Sequence, residues 1–179
     1  MIVSAGHTDA NYQQAQYSFG RGIPAATHLF NAMTGLQHRS PGVVGAIFND
    51  PGVMSSIVCD GIHVDYAAVR IAKKAMEERL FYITDAVTAS QGGVYPHVFK
   101  NDRYTLPDGT LSGSALTMMQ CVKNGIEKVG IRPEESLRMA SEYPAMLLQR
   151  SIQIGKISEN YAAHFVIFDN DYKVVRVIS

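Results

Sequence analysis

Three histidines and one aspartate each follow a short apolar run: His7, His28, His63 and Asp85. Each run contains several apolar or small residues bounded by turn formers, which is typical of a short buried strand. Helical spacing between the runs predicts repeated strand–helix units. Because the carboxyl ends of the strands in a (β/α)8 barrel meet at one mouth, we expect these side chains to lie together. Four titratable groups at one point indicate a metal-assisted hydrolytic site.

His7 and His28 occupy matching positions in successive strand–helix units. A single histidine in a strand is more often a hydrogen-bonded core residue than a ligand. Two neighbouring imidazoles, however, can share a divalent first-row ion, and zinc or iron is the expected metal. A hydrolytic site usually has three protein ligands and an open position. Asp60, His63 and Asp85 have a positional claim to be the third ligand, although each also has a use in the chemistry.

Asp85 and His63 are the candidates for proton transfer and substrate contact. Asp85 is either a turn or helix cap, or a general base that takes a proton from metal-bound water and later gives one to the leaving group. His63 follows Gly61, which lets the backbone approach a ligand closely. It either polarises a substrate carbonyl, binds a hydroxyl or merely precedes a helix cap. Arg39 is either a solvated charge in a polar loop or a phosphate ligand.

The bulk composition excludes several classes of protein. The chain has 179 residues, of which 46% are apolar, and this suits a packed globular core. Sixteen basic residues balance sixteen acidic ones, so neither a nucleic acid nor an anionic membrane surface is expected as a partner. Cys59 and Cys121 form no CxxC pair and are expected to be free thiols in a reducing cytoplasm. No apolar run approaches the roughly 18–20 residues that span a bilayer, and we see no secretory signal.

Helices are predicted from apolar spacing and from capping residues. The segment 43–48 fits either a short helix or a strand. The predicted helices are one capped by Thr8 or Asp9 and ending near Phe19, one capped by Asp65 and ending near Glu78, one from Ser114 to Gly130, and one that starts at Pro133 and breaks near Pro144.

Strands are predicted over residues 53–59 and 80–84, with a hairpin over 98–106 and a turn at 107–109. Two further strands, over 164–169 and 172–178, are expected to belong to a separate small β-domain. We therefore divide the chain into an α/β barrel part, 1–150, and β-domain strands, 151–179. A complete TIM barrel takes about 250 residues, so we expect this chain to be the carboxyl-terminal part of something longer.

Five motifs in order resemble those of the N-acetylglucosamine-6-phosphate deacetylases, which belong to the amidohydrolase superfamily. The resemblance covers essentially the whole chain but only the latter half of a family member. Each motif alone is weak, whereas five with compatible spacing are specific. The motifs are Ser-Ala-Gly-His at 4–7, Ala-Thr-His-Leu-Phe-Asn-Ala-Met at 26–33, Asp-Gly-Ile-His-Val-Asp at 60–65, Thr-Asp-Ala at 84–86 and Thr-Leu-Ser-Gly-Ser at 110–114.

The resemblance implies a fold, a reaction and a set of residues. The fold is a metal-dependent (β/α)8 barrel with a small β-sandwich built from both chain ends. The reaction converts N-acetyl-D-glucosamine 6-phosphate to glucosamine 6-phosphate and acetate, in a homodimer. By motif match, His7 and His28 are metal ligands and Asp85 is the catalytic acid/base. The implied substrate-binding residues are Asn31, Ala32, Arg39, Asp60, Gly61, Ile62, His63, Leu111, Ser112 and Gly113.

The sequence also departs from the family pattern. The family's remaining metal ligand is a glutamate on an earlier strand, and another substrate-binding histidine lies upstream; both would precede Met1. We therefore expect little or no turnover from this chain alone. Two alternatives remain. One is a dihydroorotase-like or ureido-hydrolysing amidohydrolase, although the HxH pair and carboxylated lysine of those enzymes are not visible. The other is a truncated, non-catalytic binding or structural piece.

Overall fold

The computed structural model describes residues 1–90 and 96–179. Its central layer is a parallel sheet of four strands that lie in chain order. These strands are β1 (Ser4–Ala5), β2 (Ala25–Ala26), β3 (Met54–Ile57) and β4 (Leu80–Tyr82). The predicted parallel arrangement is confirmed, although β3 and β4 are shorter than predicted. Parallel strands end at the same edge, so the residues that follow each strand share that edge of the sheet.

Helices connect the strands and cover the sheet. The predicted helix capped by Asp65 and the predicted helix that starts at Pro133 are confirmed. Asp65 accepts from the Ala67 amide, and Pro133 lies in the first turn of its helix. The undecided segment 43–48 is helical. The helices are α1 (Tyr12–Gly20), α2 (Gly42–Asn49), α3 (Tyr66–Met76) with a 3-10 turn at Glu77–Arg79, α4 (Met118–Asn124) with a π-helical continuation at Gly125–Val129, α5 (Pro133–Ala140) and α6 (Glu142–Leu147).

Two helix starts were predicted wrongly. Helix α1 is capped by Asn11 and not by Thr8 or Asp9, because Asn11 and Gln14 exchange side-chain and backbone hydrogen bonds in a capping box. Helix α4 starts after Thr117, which accepts from the Gln120 amide, and not at Ser114. The break after α5 lies at Ser141, ahead of the predicted break near Pro144.

The core lies between the sheet and the helices, and its largest fully buried side chains include Leu29, Ile47, Ile57, Tyr82 and Met139. The side chains of the two cysteines also lie there. Burial raises the pKa of each thiol to about 12, so both stay protonated near neutral pH. The prediction of free, buried thiols is therefore confirmed.

Two antiparallel hairpins complete the described chain, and both were predicted. The first joins β5 (Val98–Lys100) to β6 (Arg103–Thr105), and the turn at 107–109 then returns the chain to pair Leu111 with Thr105. The second joins β7 (Phe165–Phe168) to β8 (Val174–Ile178). Over residues 1–90 and 96–179, every helix is too short or too polar to cross a lipid bilayer.

Candidate active site

Three of the predicted functional residues have the same unusual backbone conformation. His7, His28 and Asp85 have φ values of 46°, 36° and 49°. Each follows its strand by two or three residues. A left-handed conformation costs a residue with a side chain of the order of 1–3 kcal/mol, and such strain is concentrated at functional sites. In the third unit, β3 is followed by Gly61, with φ of 75°. These four positions lie at one edge of the sheet, although positive φ also occurs elsewhere in the chain.

The imidazoles of His7 and His28 lie next to each other because β1 and β2 are neighbours in the sheet. Their ring centroids are 4.8 Å apart at an interplanar angle of 71°. His28 is buried, and its backbone N–H donates to the Ser56 hydroxyl at 2.9 Å. Among the described residues, Nδ1 of His28 is buried without a hydrogen-bond partner. A buried polar atom with no partner is costly, so this nitrogen is suited to a ligand.

The histidine pair fits a divalent metal ion, but it is incomplete as a ligand set. Imidazole nitrogen is a common ligand of zinc and iron, and the two rings are close enough to share one ion. Across residues 1–90 and 96–179, no group of three or more His, Cys, Asp or Glu side chains is arranged to hold an ion. The predicted ligands are therefore brought together, whereas Asp60, His63 and Asp85 do not join them as a third.

Asp60 and His63 form a closed hydrogen-bonded loop after β3. One carboxylate oxygen of Asp60 accepts from the backbone N–H groups of Ile62 and His63, each at 2.8 Å. The other oxygen lies 2.6 Å from Nδ1 of His63. Burial alone would raise the pKa of Asp60, but these hydrogen bonds outweigh it and lower the pKa below 3.8. The carboxylate therefore stays ionised and is turned toward its own loop.

Gly61 allows this loop to pass against α3. A Cβ at Gly61 would lie 2.7 Å from the ring of Tyr66, which is shorter than any ordinary contact. The Tyr66 hydroxyl donates to the Asp60 carbonyl at 3.1 Å. The close packing of Tyr66 on the loop thus explains why glycine occupies this position.

Asp85 is held through its backbone by Ser114, a residue that the sequence did not suggest as functional. The Ser114 N–H donates to the Asp85 carbonyl at 2.7 Å, and the Val87 N–H donates to the Ser114 carbonyl at 3.0 Å. The Ser114 hydroxyl donates to the Thr84 carbonyl. No described helix starts at Asp85, since the next one is capped by Thr117. The alternative of a helix cap for Asp85 is therefore wrong.

The segment 111–113 lies beside the loop that carries Asp85, as the implied roles of Leu111, Ser112 and Gly113 require. Gly113 has a φ of 88°, and a Cβ there would lie 2.6 Å from Cγ1 of Val87 and 3.0 Å from the Asp85 carbonyl oxygen. Ser112 is hydrogen-bonded to Nδ1 of His97 at 2.9 Å, so its hydroxyl has a partner within the protein.

The segment after β2 places Asn31 and Ala32 next to His7. The Asn31 N–H donates to the His28 carbonyl, and the Thr8 N–H donates to the Ala32 carbonyl, both at 2.9 Å. Asn31 is thus bonded to the backbone of His28, and Ala32 to the backbone of the residue that follows His7. Arg39 does not join them: it is exposed, in the tight turn closed by Gln37 and Ser40.

Sequence reasoning missed three buried polar residues around the site. Ser56 binds the backbone of His28, Ser114 binds the loop of Asp85, and Asn124 donates to the Cys59 carbonyl at 2.7 Å. The one usable signal was Ser55-Ser56, two hydroxyls inside an otherwise apolar strand. The other two act across many residues of sequence, so local spacing carries no sign of them.

Comparison with known proteins shows the family to which the chain belongs. The amidohydrolase family model matches residues 1–179. The chain is 34% identical to the N-acetylglucosamine-6-phosphate deacetylase of Haemophilus influenzae, over 99% of this chain and 49% of that protein. It is 32% identical to the N-acetylgalactosamine-6-phosphate deacetylase of Escherichia coli O157:H7, over 98% of this chain and 48% of that protein.

A solved structure gives the same result. The crystal structure of N-acetylglucosamine-6-phosphate deacetylase from Pasteurella multocida matches with a TM-score of 0.95 and 35% identity, over 99% of this chain and 49% of that one. The chain thus spans about half the length of the relatives that it matches. Since the family model covers every residue, the chain belongs to the amidohydrolase family.

Proposed function

We propose that this chain is the metal-binding and proton-transferring part of an amide hydrolase that converts N-acetyl-D-glucosamine 6-phosphate to glucosamine 6-phosphate and acetate. The observation that carries the proposal is the pair formed by His7 and His28, with the Nδ1 atom of His28 buried and unpartnered. The names of the relatives support the substrate class.

Each residue has a distinct task in this proposal. His7 and His28 hold a divalent ion, zinc or iron, with a further ligand supplied from outside these 179 residues. Such an ion supplies Lewis acidity and makes water a stronger nucleophile near neutral pH. Asp85 accepts the proton of the attacking water and delivers it to the departing nitrogen. The hydrogen bonds of Ser114 hold the backbone of Asp85 at the edge of the sheet where the histidines lie.

The substrate is proposed to lie across the same edge. His63 contacts the sugar together with the backbone at Asp60, Gly61 and Ile62, and 111–113 line the acetyl pocket. Asn31 and Ala32 meet the phosphate region, for which their position beside His7 is suitable. Arg39 is exposed, so we propose that it reaches the phosphate of a neighbouring subunit in a homodimer.

The architecture proposed for the complete protein follows from the parallel order of the strands. We propose that residues 1–150 form part of a (β/α)8 barrel and that 151–179 contribute strands to a small β-sandwich. Support comes from the four parallel strand–helix units and from the separate hairpin of β7 and β8. The cytoplasmic location stays a prediction that rests on two free thiols.

A second substrate is favoured by one specific observation. The relative from Escherichia coli O157:H7 is named for N-acetylgalactosamine 6-phosphate and is only slightly less similar to this chain. The two sugars differ in the configuration of one hydroxyl. We therefore include both in the test.

The experiment joins this chain to the part of the Haemophilus influenzae relative that it does not span. Acetate release from both sugar phosphates is then measured in the presence of zinc. We expect release from at least one, and a loss of about 10²–10⁴-fold in Asp85→Asn, the range for removal of a general acid–base group. Asp108→Asn, in an exposed hairpin turn, is the matched control.

Two results of the chimera assay would count against the proposed deacetylation. A folded chimera that binds zinc but releases no acetate from either sugar contradicts the proposal and favours a non-catalytic role. A chimera that hydrolyses cyclic amides instead of acetamides favours another amidohydrolase activity.

A further inference from the structure

The carboxylate of Asp60 is fully used within its own loop, and this restricts what it can do. Its first oxygen accepts two backbone N–H bonds, from Ile62 and His63, and its second oxygen faces Nδ1 of His63. Only 8% of the Asp60 side chain and 6% of the His63 side chain are exposed. A side chain held in this way does not reach the substrate, so any effect of Asp60 on the reaction passes through the imidazole or through the backbone N–H groups that the carboxylate holds.

An ionised carboxylate can accept hydrogen bonds but cannot donate them. The ring nitrogen that faces it at 2.6 Å must therefore carry the proton. The ionisation is supported by the pKa of Asp60, which lies below 3.8. When the ring is neutral, its single proton is thus on Nδ1 and its lone pair is on Nε2.

The Nε2 atom is available to a ligand. Among the described side chains, Nδ1 of His28 is the buried polar atom that has no hydrogen-bond partner. Nε2 of His63 is not such a buried, unpartnered atom. The hydrogen bond that the imidazole of His63 makes within the described part of the chain is the one at Nδ1. Nε2 of His63 therefore has no partner within the described part of the chain and is not fully buried.

We propose that Asp60 is a positioning residue that holds His63 in the Nδ1–H tautomer, so that the neutral ring presents a hydrogen-bond acceptor to a hydroxyl of the substrate. Of the two uses suggested for His63, this selects contact with a hydroxyl for the neutral ring, because a neutral Nε2 with a lone pair cannot donate to a carbonyl oxygen. That His63 contacts the substrate at all rests on the proposed function; the tautomer does not.

The Asp60→Asn variant tests this arrangement, because it is expected to reverse the tautomer of His63. The single oxygen of asparagine must take either the position that accepts two backbone N–H groups or the position that faces Nδ1. Keeping two backbone bonds outweighs keeping one ring bond, since the ring can move its proton to Nε2. The amide NH2 then faces Nδ1, and the tautomer is reversed.

The measurement is two-bond ¹H–¹⁵N correlation NMR on the 179-residue chain with ¹⁵N-labelled histidine, at a pH where the ring is neutral. Signals of His63 are assigned by their loss in His63→Gln. We expect the Nδ1–H tautomer in the natural chain and the Nε2–H tautomer in Asp60→Asn. Asp65→Asn is the matched control. It removes a negative charge two residues after His63, while asparagine at this position still caps α3. It should leave the tautomer unchanged.

Several results would overturn the proposal: an Nε2–H tautomer in the natural chain, an unchanged tautomer in a folded Asp60→Asn, or the same reversal in Asp65→Asn. Should Asp60→Asn not fold, the natural chain decides alone. Its Nδ1–H proton should then be resolved and slow to exchange with solvent, and a rapidly exchanging one contradicts the hydrogen bond.

The activity of the chimera separates this inference from the proposed function. We expect Asp60→Asn to lower kcat/KM by about 10–10²-fold, the range for a buried hydrogen-bonding group that loses its partner. The correct tautomer without acetate release would refute the function alone. Acetate release with the opposite tautomer would refute the inference alone.

Discussion

Ser114 is the single residue on which the position of Asp85 most directly depends. Its backbone makes two hydrogen bonds to the loop after β4, and its hydroxyl donates to Thr84 and accepts from the Leu116 amide at 3.0 Å. It is 2% exposed. Strained backbone such as that at Asp85 persists only when its surroundings determine it, and Ser114 supplies that constraint.

Ser114→Ala is therefore expected to lower the free energy of unfolding by about 1–3 kcal/mol, because the carbonyl of the half-buried Thr84 loses its donor. Urea denaturation of the chain measures this. Ser158→Ala, at an exposed position, should change the free energy by less than about 0.5 kcal/mol. If Ser114→Ala and Ser158→Ala had the same free energy of unfolding, the hydrogen bond from the Ser114 hydroxyl to the Thr84 carbonyl would contribute nothing to stability.

Individual functional residues could be predicted only where their position repeats in the sequence. His7, His28, His63 and Asp85 stand out because each follows an apolar run, and the structure confirms that the first two lie side by side. Ser114 does not stand out, since its hydroxyl acts on a carbonyl 30 residues away. Such a bond depends on how two loops meet, and this is decided by tertiary packing.

At the scale of elements, the fit between the 111–114 segment and the loop after β4 depends on Gly113. A left-handed conformation costs an alanine about 1–2 kcal/mol, and the contact with Val87 adds about 1–3 kcal/mol for overpacking. Gly113→Ala is therefore predicted to be clearly more destabilising than Gly109→Ala. Gly109 has nearly the same φ, 89°, but a Cβ there meets open space.

Thermal unfolding of both glycine variants separates strain from steric contact. The difference in stability between them isolates the contact with Val87. Indistinguishable midpoints would mean that the two loops are not packed as the structure has them.

Helices α3, α5 and α6 are joined by a polar cluster of Lys73, Glu135 and Tyr143. Lys73 forms an ion pair with Glu135, and the Tyr143 hydroxyl lies 2.8 and 3.0 Å from its two carboxylate oxygens. Burial opposes ionisation of Glu135, but the hydrogen bonds from Lys73 and Tyr143 prevail and lower its pKa below 4.5. The cluster thus stabilises helix packing while the carboxylate is charged.

The pH dependence follows from the sign of that shift. The stabilisation is complete above the pKa of Glu135 in the unfolded chain and is lost as the pH falls through its lower folded value. Glu135→Gln should therefore cost about 1–3 kcal/mol at pH 7, with a smaller cost in acid below pH 4.5. Denaturation at several pH values measures this. Glu134→Gln, on the neighbouring exposed residue, is the control. If the destabilisation by Glu135→Gln did not change with pH, the charged Glu135 carboxylate would not be the stabilising form.

Most element types were predictable from the sequence, although the type of segment 43–48 was not, and several boundaries were misplaced. Apolar spacing and Asp65 located α3, and Pro133 located α5, because these signals are local. The starts of α1 and α4 were misplaced because several capping residues lie close together there. The choice among them depends on which side chain completes its hydrogen bonds, as Asn11 and Gln14 do.

At the scale of the whole molecule, the chain exposes apolar surface at both ends of its sequence. Ile2 and Val3 precede the edge strand β1, and most of β8 is exposed, with Val175 at 68% and Val177 at 64%. The relatives are about twice as long as this chain. These exposed apolar side chains are the surfaces that the proposed barrel and sandwich architecture would cover.

The proposed function as a whole depends on His7 and His28 sharing one metal ion. Because a further ligand is proposed to come from outside these 179 residues, zinc titration of the chimera, followed by calorimetry, tests this most directly. We predict one zinc site in the chimera that is lost in His7→Ala and in His28→Ala but kept in His38→Ala, which changes an exposed loop residue. The absence of a saturable site in the chimera, or the same site in its His28→Ala variant, would contradict the claim.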